Sequence, residues 1–362
     1  MSRITAFFDR WLFEEYAFLD GKALATFRIG YSFTLLLTGT VSFSKINTYA
    51  AELYRPRKSL ARWFDLPEPW FFEALDLISV VLLVCVFFGF KTRWTSLAFG
   101  VLMLIGCSFL YSFGKIDHGD LLVILTPVFL AFSGWGNNYS IDARTSSNRT
   151  VTSWPVSGLS LVIGFAMFTA GFQKLMGGWL DPSFHAIKYH SYKVYLNDWE
   201  GLLTKPFLSL MNDFTWEALD YFIILFELGF LVAVFHRKAF HWWIKLAILF
   251  HVMVFLTMDV VFYRNVIIYL LFVDWTYITR LIGLEKVIER ASQYFSIYAL
   301  LIVMAAVVLF NLSGWSMDTK SWIGYHRSLG VFVVFLIGLL FTLLSTAKRL
   351  NLLTKKIKHE VE

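Results

Sequence analysis

Cysteine and charged side chains are scarce in this sequence. Its 362 residues include two cysteines and 16% charged residues. Cys85 and Cys107 each lie in an apolar run, outside any CxxC motif, so we expect two buried thiols and no disulfide framework. Soluble domains carry about 25% charged residues, so the low charge argues against an ordinary soluble domain. Nucleic-acid binding is also not expected, because no basic stripe is interleaved with stacking aromatics.

Apolar and aromatic residues dominate instead, at 57% and 19% of the chain. A membrane-spanning helix needs about 20 mostly apolar residues. The sequence predicts an all-α, polytopic membrane bundle of about ten such helices, with lipid as its main surroundings. The predicted spans are residues 24–44, 70–90, 93–113, 119–135, 155–177, 217–236, 240–259, 261–282, 295–313 and 328–346.

The chain divides into four predicted regions. Residues 1–23 carry acidic side chains and lack a continuous apolar core, which is typical of an amphipathic helix on the membrane surface rather than of a cleaved signal peptide. Residues 24–285 form the main transmembrane domain. Residues 286–347 add two further spans, and residues 348–362 form a basic tail.

The distribution of Lys and Arg predicts the orientation. More of them fall on the side of the N-terminus, including those of the basic tail, so both termini are expected in the cytoplasm of a multi-pass cell-membrane protein. Two long connections, residues 45–69 and 178–216, then lie on the opposite side. Long loops in a tight bundle are typical of functional lids, so 178–216 is a candidate substrate or partner surface.

Ionisable residues inside or beside a predicted span are candidate site residues, because unpaired charge in a bilayer is costly. Lys174 ends the fifth span in the sequence FTAGFQKLMGGWLD. One reading is a lysine whose ammonium reaches the headgroups. The other is a desolvated amine that acts as a base or nucleophile.

A second polar group, YSFGKIDHGDLL, joins spans three and four on the same predicted side. Lys115, Asp117, His118 and Asp120 lie within six residues there, either as a solvated turn or as part of a pocket. No second His or Cys stands at ligand spacing, so no metal site is predicted.

Further ionisable residues occur in spans six to eight and at the start of span one. Glu227 and His251 are predicted at similar depth and are expected to form a buried pair, either as structural glue or as a proton relay. Arg264 would recognise an anion or carbonyl, or neutralise Asp259. Arg28 is expected to be an interfacial anchor.

The predicted topology places Lys115, His118, Lys174 and Arg264 at one membrane face, with the 178–216 loop. Interfacial anchors without a function would be spread over both faces. The sequence therefore predicts a polar pocket near the non-cytoplasmic ends of the central helices.

These residues resemble a known family. The stretch AG-x-x-KL at 170–175 with the following Trp179, and the Lys115–His118 segment, are similar to the HTTM (horizontally transferred transmembrane) family. That family's membrane domain is shared with vitamin K-dependent γ-glutamyl carboxylase. The resemblance covers roughly residues 10–285, and Glu227 and His251 fit it more loosely.

The resemblance implies a lyase or oxidoreductase that uses a reduced, vitamin K-like quinone. Lys174 would be the base that deprotonates the quinone, and His118 would assist. Lys115, Asp117, Asp120, Trp179, Arg264, Glu227 and His251 would line the substrate or quinone pocket.

A second hypothesis is a non-catalytic membrane factor for the maturation or export of a secreted peptide. Two features favour it. The carboxylase's large soluble region has no counterpart here, and bacterial relatives include such a maturation factor. A transporter is disfavoured, since no inverted repeat or paired broken helices are evident.

Overall fold

The computed structural model describes residues 3–16, 19–39, 41–56, 60–114, 118–146, 150–181, 183–198, 201–312, 336–338, 340 and 342. Within these ranges the regular secondary structure is entirely helical, which confirms the all-α class. The α-helices, in chain order, are α1 Arg3–Arg10, α2 Gly21–Thr38, α3 Pro69–Phe88, α4 Thr92–Leu110, α5 His118–Leu130, α6 Asp142–Thr145, α7 Trp154–Met176, α8 Ala186–Leu196, α9 Thr204–Leu210, α10 Asp213–Ala233, α11 Arg237–Met258, α12 Tyr263–Tyr269, α13 Trp275–Leu281, α14 Leu284–Ser292 and α15 Ile297–Leu312. Shorter helical segments are the π-helix Trp11–Glu15 and the 3-10 helices Ser44–Thr48, Ala51–Leu53, Leu60–Trp63 and Leu270–Phe272.

Four of the described helices, α3, α4, α7 and α11, are long and apolar enough to cross a membrane. The number becomes five if α14 and the following helix through Leu309, which meet at an 86° bend, form one broken span. Membrane character therefore agrees with the prediction, while the expected count of about ten spans is not confirmed. The predicted span 328–346 and the basic tail 348–362 lie largely or wholly outside the described residues.

The predicted span 261–282 is several short helices rather than one. Helix α12 ends at Tyr269, a 3-10 turn follows, and a new helix starts after Asp274. The Asp274 carboxylate accepts a hydrogen bond from the backbone N–H of Tyr277 at 3.0 Å. An aspartate cap satisfies the free N–H groups of a helix start, so it favours a break in the helix here.

The N-terminal prediction also changes in detail. Residues 3–15 are helical, but the helix does not continue to residue 23. A new helix, α2, begins at Gly21, capped by Asp20, whose carboxylate accepts from the N–H of Ala23 at 2.7 Å. The same carboxylate accepts from the hydroxyl of Thr276 at 2.7 Å. Asp20, one of the acidic residues that argued against a signal peptide, therefore caps the start of the first long helix.

By internal contacts the chain forms two compact units, residues 1–160 with 271–330, and residues 161–270 with 331–362. In the first unit α3 packs against α2, α4 and α15. Arg28 of α2 is fully buried there and donates to the backbone carbonyls of Trp135 and Tyr139. The expected interfacial anchor is thus an internal cross-link, because its guanidinium donates to two backbone carbonyls of the non-helical stretch that follows α5.

The second unit contains most of α7 and helices α8 to α12. Helix α10 begins with a capping box in which Asn212 and Thr215 exchange hydrogen bonds. The indole N–H of Trp243 on α11 donates to the carbonyl of Phe226 at 3.0 Å, and the rings of Phe230 and Phe240 meet at 5.9 Å. These contacts join α10 and α11 as the predicted antiparallel hairpin.

The 178–216 connection is largely helical. It contains α8 and α9, which pack against each other and against α11. The N–H of Leu203 donates to the carbonyl of Leu256 at 2.7 Å, and the hydroxyl of Thr204 donates to the carbonyl of Thr257 at 2.6 Å. The connection is therefore fixed onto the end of α11.

Candidate active site

Lys174 and Glu227 form an ion pair within the second unit. The Lys174 Nζ lies 2.6 Å from Oε1 and 2.5 Å from Oε2 of Glu227, so one ammonium bridges both carboxylate oxygens. The Glu227 side chain is 5% exposed and that of Lys174 is 23% exposed. The carboxylate is thus almost enclosed, while the lysine side chain is partly exposed.

Gly171 brings the two helices of this pair together. A Cβ at position 171 would lie 2.8 Å from the Cβ of Glu227 and 3.1 Å from the backbone nitrogen of Leu228. One helical turn further on, Lys174 reaches the same carboxylate. The glycine of the AG-x-x-KL stretch therefore permits the close approach that the ion pair needs.

The turn after α7 adds an aromatic face. Gly178 has a positive φ of 81°, a conformation that glycine adopts without strain, and it directs the chain into Trp179. The Lys174 ammonium lies 5.3 Å from the centre of the Trp179 ring, within the range of a cation–π contact. The predicted neighbour Trp179 is therefore beside the predicted base.

His190 of α8 lies behind this tryptophan, with the two ring centres 5.7 Å apart. Partial burial and the positive charges of Lys193 and Lys174 hold the pKa of His190 below its usual value. The imidazole is thus kept neutral beside the lysine, which avoids a second cation at this position.

Glu227 has a different partner from the predicted one. Phe250, the neighbour of His251, contacts Phe226, the neighbour of Glu227, with 5.8 Å between the ring centres, so the two predicted partners do lie at similar depth. His251 instead pairs with Tyr269 of α12, with 3.3 Å between Nε2 and the hydroxyl oxygen. The change of partner follows from the direction of each side chain, since Glu227 bonds to α7 and His251 to α12.

The His251–Tyr269 pair belongs to the same polar cluster. Both side chains are buried, and the cluster is completed by electrostatic interactions of Lys174 with His251 and of Glu227 with Tyr269. The Nδ1 of His251 is buried without a hydrogen-bond partner. An unpaired buried polar atom is costly, so this nitrogen is a candidate contact for a bound polar group.

Apolar groups surround the histidine. The ring of Phe262 lies 4.8 Å from that of His251, and the hydroxyl of Tyr269 donates to the sulfur of Met167 at 3.7 Å. Tyr269 was not predicted as a site residue. Its position within an apolar run carries no signal, since only the tertiary structure turns its hydroxyl toward His251.

Arg264 is the second residue of α12 in the second unit, and its Nε donates to the hydroxyl of Tyr263 at 3.2 Å. Asp259 ends α11 with a positive φ of 50°. An anion-binding role for Arg264 stays a prediction.

The remaining predicted site residues belong to the first unit. Lys115 and Asp117 lie outside the described residues, as does the side chain of His118, whose backbone starts α5. Asp120 is buried and accepts from the hydroxyl of Tyr111 at 3.1 Å. The pairing of His118 with Lys174 therefore stays a prediction.

Comparison with family models, curated proteins and solved structures finds no match for this chain. The second unit nevertheless defines a class of site by geometry alone. It is an amine held by an enclosed carboxylate, beside an aromatic ring and a buried histidine–tyrosine pair, in a chain with helices suited to a membrane.

Proposed function

We propose that this protein is a membrane-embedded enzyme of the vitamin K-dependent γ-carboxylase type, in which Lys174 is the base that removes a proton from a reduced quinone. The observation that carries the proposal is the enclosed Lys174–Glu227 pair. A lysine that only anchored the chain at an interface would direct its ammonium to headgroups, whereas this one is turned toward a carboxylate.

A base needs a free lone pair, so Lys174 would react as the amine, with its proton passed to the Glu227 carboxylate beside it. That transfer breaks an N–H bond of Lys174 and forms an O–H bond on Glu227. When the amine takes a proton from a substrate hydroxyl, that O–H bond breaks, an N–H bond forms, and the new ammonium faces the oxyanion.

Three side chains of the second unit support a quinone ligand in this proposal. Trp179 and Phe262 offer flat apolar faces, and the unpaired Nδ1 of His251 offers a hydrogen bond to a hydroxyl or carbonyl group of the quinone. A reduced quinone bound there would supply an acidic hydroxyl and the electrons for a reaction with oxygen. Carboxylation of a peptide glutamate by the resulting strong base is part of the proposal through the family resemblance.

The test is quinone turnover by the full chain in lipid nanodiscs supplied with reduced vitamin K and oxygen. We expect oxidised or epoxidised quinone from the native chain and loss of turnover, by 100-fold or more on the scale of ~10²–10⁴ for a general base, in Lys174→Met. Lys188→Met is the matched control, because Lys188 forms an exposed ion pair with Asp213 at 2.6 Å. Equal turnover in all three chains would remove Lys174 from the reaction.

A single lysine variant leaves Glu227 buried without a partner, so loss of turnover could reflect misfolding. Lys174→Met combined with Glu227→Gln avoids the unpaired charge. We expect this double variant to fold, as judged by a symmetrical gel-filtration peak and a sharp thermal transition, and still to lack turnover. Recovery of turnover in the folded double variant would contradict the proposal.

A second candidate, a membrane factor for a secreted peptide, is favoured by the outer face of α8. Tyr189 and Tyr192 are exposed there, and exposed tyrosines are frequent at protein interfaces. Changing both to serine should then abolish maturation of a co-expressed secreted peptide. The same double change should leave quinone turnover intact if the protein is an enzyme of the first kind.

The orientation belongs to the same proposal, with both termini in the cytoplasm and residues 178–216 outside. Cys85 and Cys107 are buried, so introduced cysteines can report accessibility. Ser183→Cys should react with an impermeant maleimide in intact cells, and Lys286→Cys only after lysis. The reverse pattern would invert the topology.

A further inference from the structure

Three potential metal ligands meet at the junction of α8 and α10. His185 precedes α8, while Glu217 and Asp220 stand three residues apart on α10 and so share one face of that helix. One ligand atom from each of the three lies within 4.8 Å of the other two. The Nδ1 of His185 lies 3.1 Å from Oε2 of Glu217.

These distances suit a small divalent ion. Zinc binds imidazole nitrogen and carboxylate oxygen at about 2.0–2.2 Å, which puts neighbouring ligand atoms of a tetrahedral centre about 3.3 Å apart. The 3.1 Å separation of His185 and Glu217 is already close to that value. The three atoms lie within 4.8 Å of one another, so a tetrahedral centre requires an approach of up to about 1.5 Å, which rotation of the partly exposed His185 and Glu217 side chains provides.

The charge of the cluster is a separate reason to expect a cation. Asp220 is 0% exposed. Its two oxygens each accept a backbone N–H at 3.0 Å, from Ala186 and Ile187 at the start of α8. Each oxygen keeps a further lone pair for a metal.

Within the described residues, neither Asp220 nor Glu217 has a lysine or arginine partner, and the nearest lysine of α8, Lys188, is bonded to Asp213. In the part of the chain that the structure describes, the two carboxyl groups therefore lack a neighbouring ammonium or guanidinium, and one of them, that of Asp220, is fully enclosed. Enclosed carboxylates are hydrogen-bonded, paired with a cation or bound to metal in most proteins.

We propose that His185, Glu217 and Asp220 bind one Zn²⁺ ion. The imidazole favours zinc over calcium and magnesium, which prefer oxygen ligands only. Three protein ligands leave a fourth position for water. The ion fastens the start of α8, and with it the 178–216 connection, to the helix that carries Glu227 two turns further on. This site does not depend on the quinone reaction.

The test is metal analysis of the full chain, purified in detergent without a histidine tag, stripped with a chelator and then equilibrated with micromolar Zn²⁺. We expect about one zinc per chain by mass spectrometry, as for a single three-ligand site. Glu217→Gln and His185→Ala should weaken binding by about 100-fold or more, since even outer-shell partners of a metal ligand contribute 10–100-fold. Asp198→Asn, which changes an exposed carboxylate beyond the far end of α8, should retain the zinc.

Thermal unfolding separates a lost ligand from a lost fold. Zn²⁺ should raise the midpoint of the native chain and of Asp198→Asn, because a ligand that binds only the folded state stabilises it. It should not raise that of Glu217→Gln, whose midpoint without metal we expect to be within a few degrees of native. Three outcomes would each overturn the proposal: no bound zinc in the native chain, as much zinc in Glu217→Gln as in the native chain, or binding of Ca²⁺ in place of Zn²⁺. The three residues would then form only a hydrogen-bonded cap at the start of α8.

Discussion

Replacement of Gly171 by alanine is the sharpest test of how the candidate site is built. The new methyl group would lie 2.8 Å from the Cβ of Glu227 and 3.1 Å from the backbone nitrogen of Leu228. Non-bonded carbon atoms prefer about 3.5–4.0 Å, so α7 and α10 must separate locally by about 1 Å. Backbone is involved on the α10 side, and a side-chain rotation alone cannot relieve the contact.

The expected stability change is a balance of two terms. Overpacking of a close contact costs about 1–3 kcal/mol. Alanine in place of glycine within a helix gains about 1 kcal/mol. The free energy of unfolding of Gly171→Ala should therefore be about 0–2 kcal/mol below that of the native chain, from the difference of these terms.

Gly30→Ala is the matched control. Gly30 also lies within a helix, α2, but a Cβ there meets nothing within 4 Å. It should show the helix gain of about 1 kcal/mol without the clash. The two variants should differ by about 1–3 kcal/mol in the free energy of unfolding, measured by denaturant titration in mixed micelles.

The effect on function should exceed the effect on stability. A displacement of about 1 Å between catalytic groups can cost about 100-fold in rate. Gly171→Ala should therefore lower quinone turnover by about that factor, while Gly30→Ala leaves it unchanged. If both variants gained stability equally and kept native turnover, α7 and α10 would not be in the described contact, and the Lys174–Glu227 geometry would lose its support.

Three further predictions concern single contacts in the second unit, each measured by the same unfolding titration against the native chain. Lys174→Met should lower the free energy of unfolding by about 3–5 kcal/mol, because it leaves Glu227 buried without a partner. The double variant Lys174→Met/Glu227→Leu should recover most of that loss. A much smaller loss in the single variant would show that the carboxylate is not enclosed. Tyr269→Phe removes the hydroxyl partner of the His251 Nε2, so a loss of about 1–3 kcal/mol is expected, and no loss would exclude the pair. Asn212→Ala removes the capping box of α10 and should cost about 1 kcal/mol, whereas Asn212→Asp should preserve it.

Local sequence features predicted the long helices with small errors at their ends. The predicted spans 70–90, 93–113 and 155–177 correspond to α3, α4 and α7, because a long apolar run in a helix-forming sequence has few alternatives. The prediction failed at 261–282. There the apolar run continues across Asp274, and the capping hydrogen bond rather than hydropathy ends the helix.

The candidate site was predicted only in part, for a similar reason. An ionisable residue in an apolar run indicates that a partner exists but not which one. Glu227 was assigned to His251 from estimated depth, and the structure pairs it with Lys174. Similar depth on two helices does not decide which neighbouring helix each side chain meets, and here Glu227 bonds to α7 while His251 bonds to α12.

The sequence by itself determined an all-helical, membrane-suited chain with Lys174 at the end of a long helix, because composition and the turn at Gly177–Gly178 act locally. Tertiary structure alone decided that Gly171 lets α10 approach, that Tyr269 turns toward His251, and that His185 meets Glu217 and Asp220. These contacts join residues far apart in the chain. Their existence depends on how helices pack and in which register, and no local pattern of residue types specifies that.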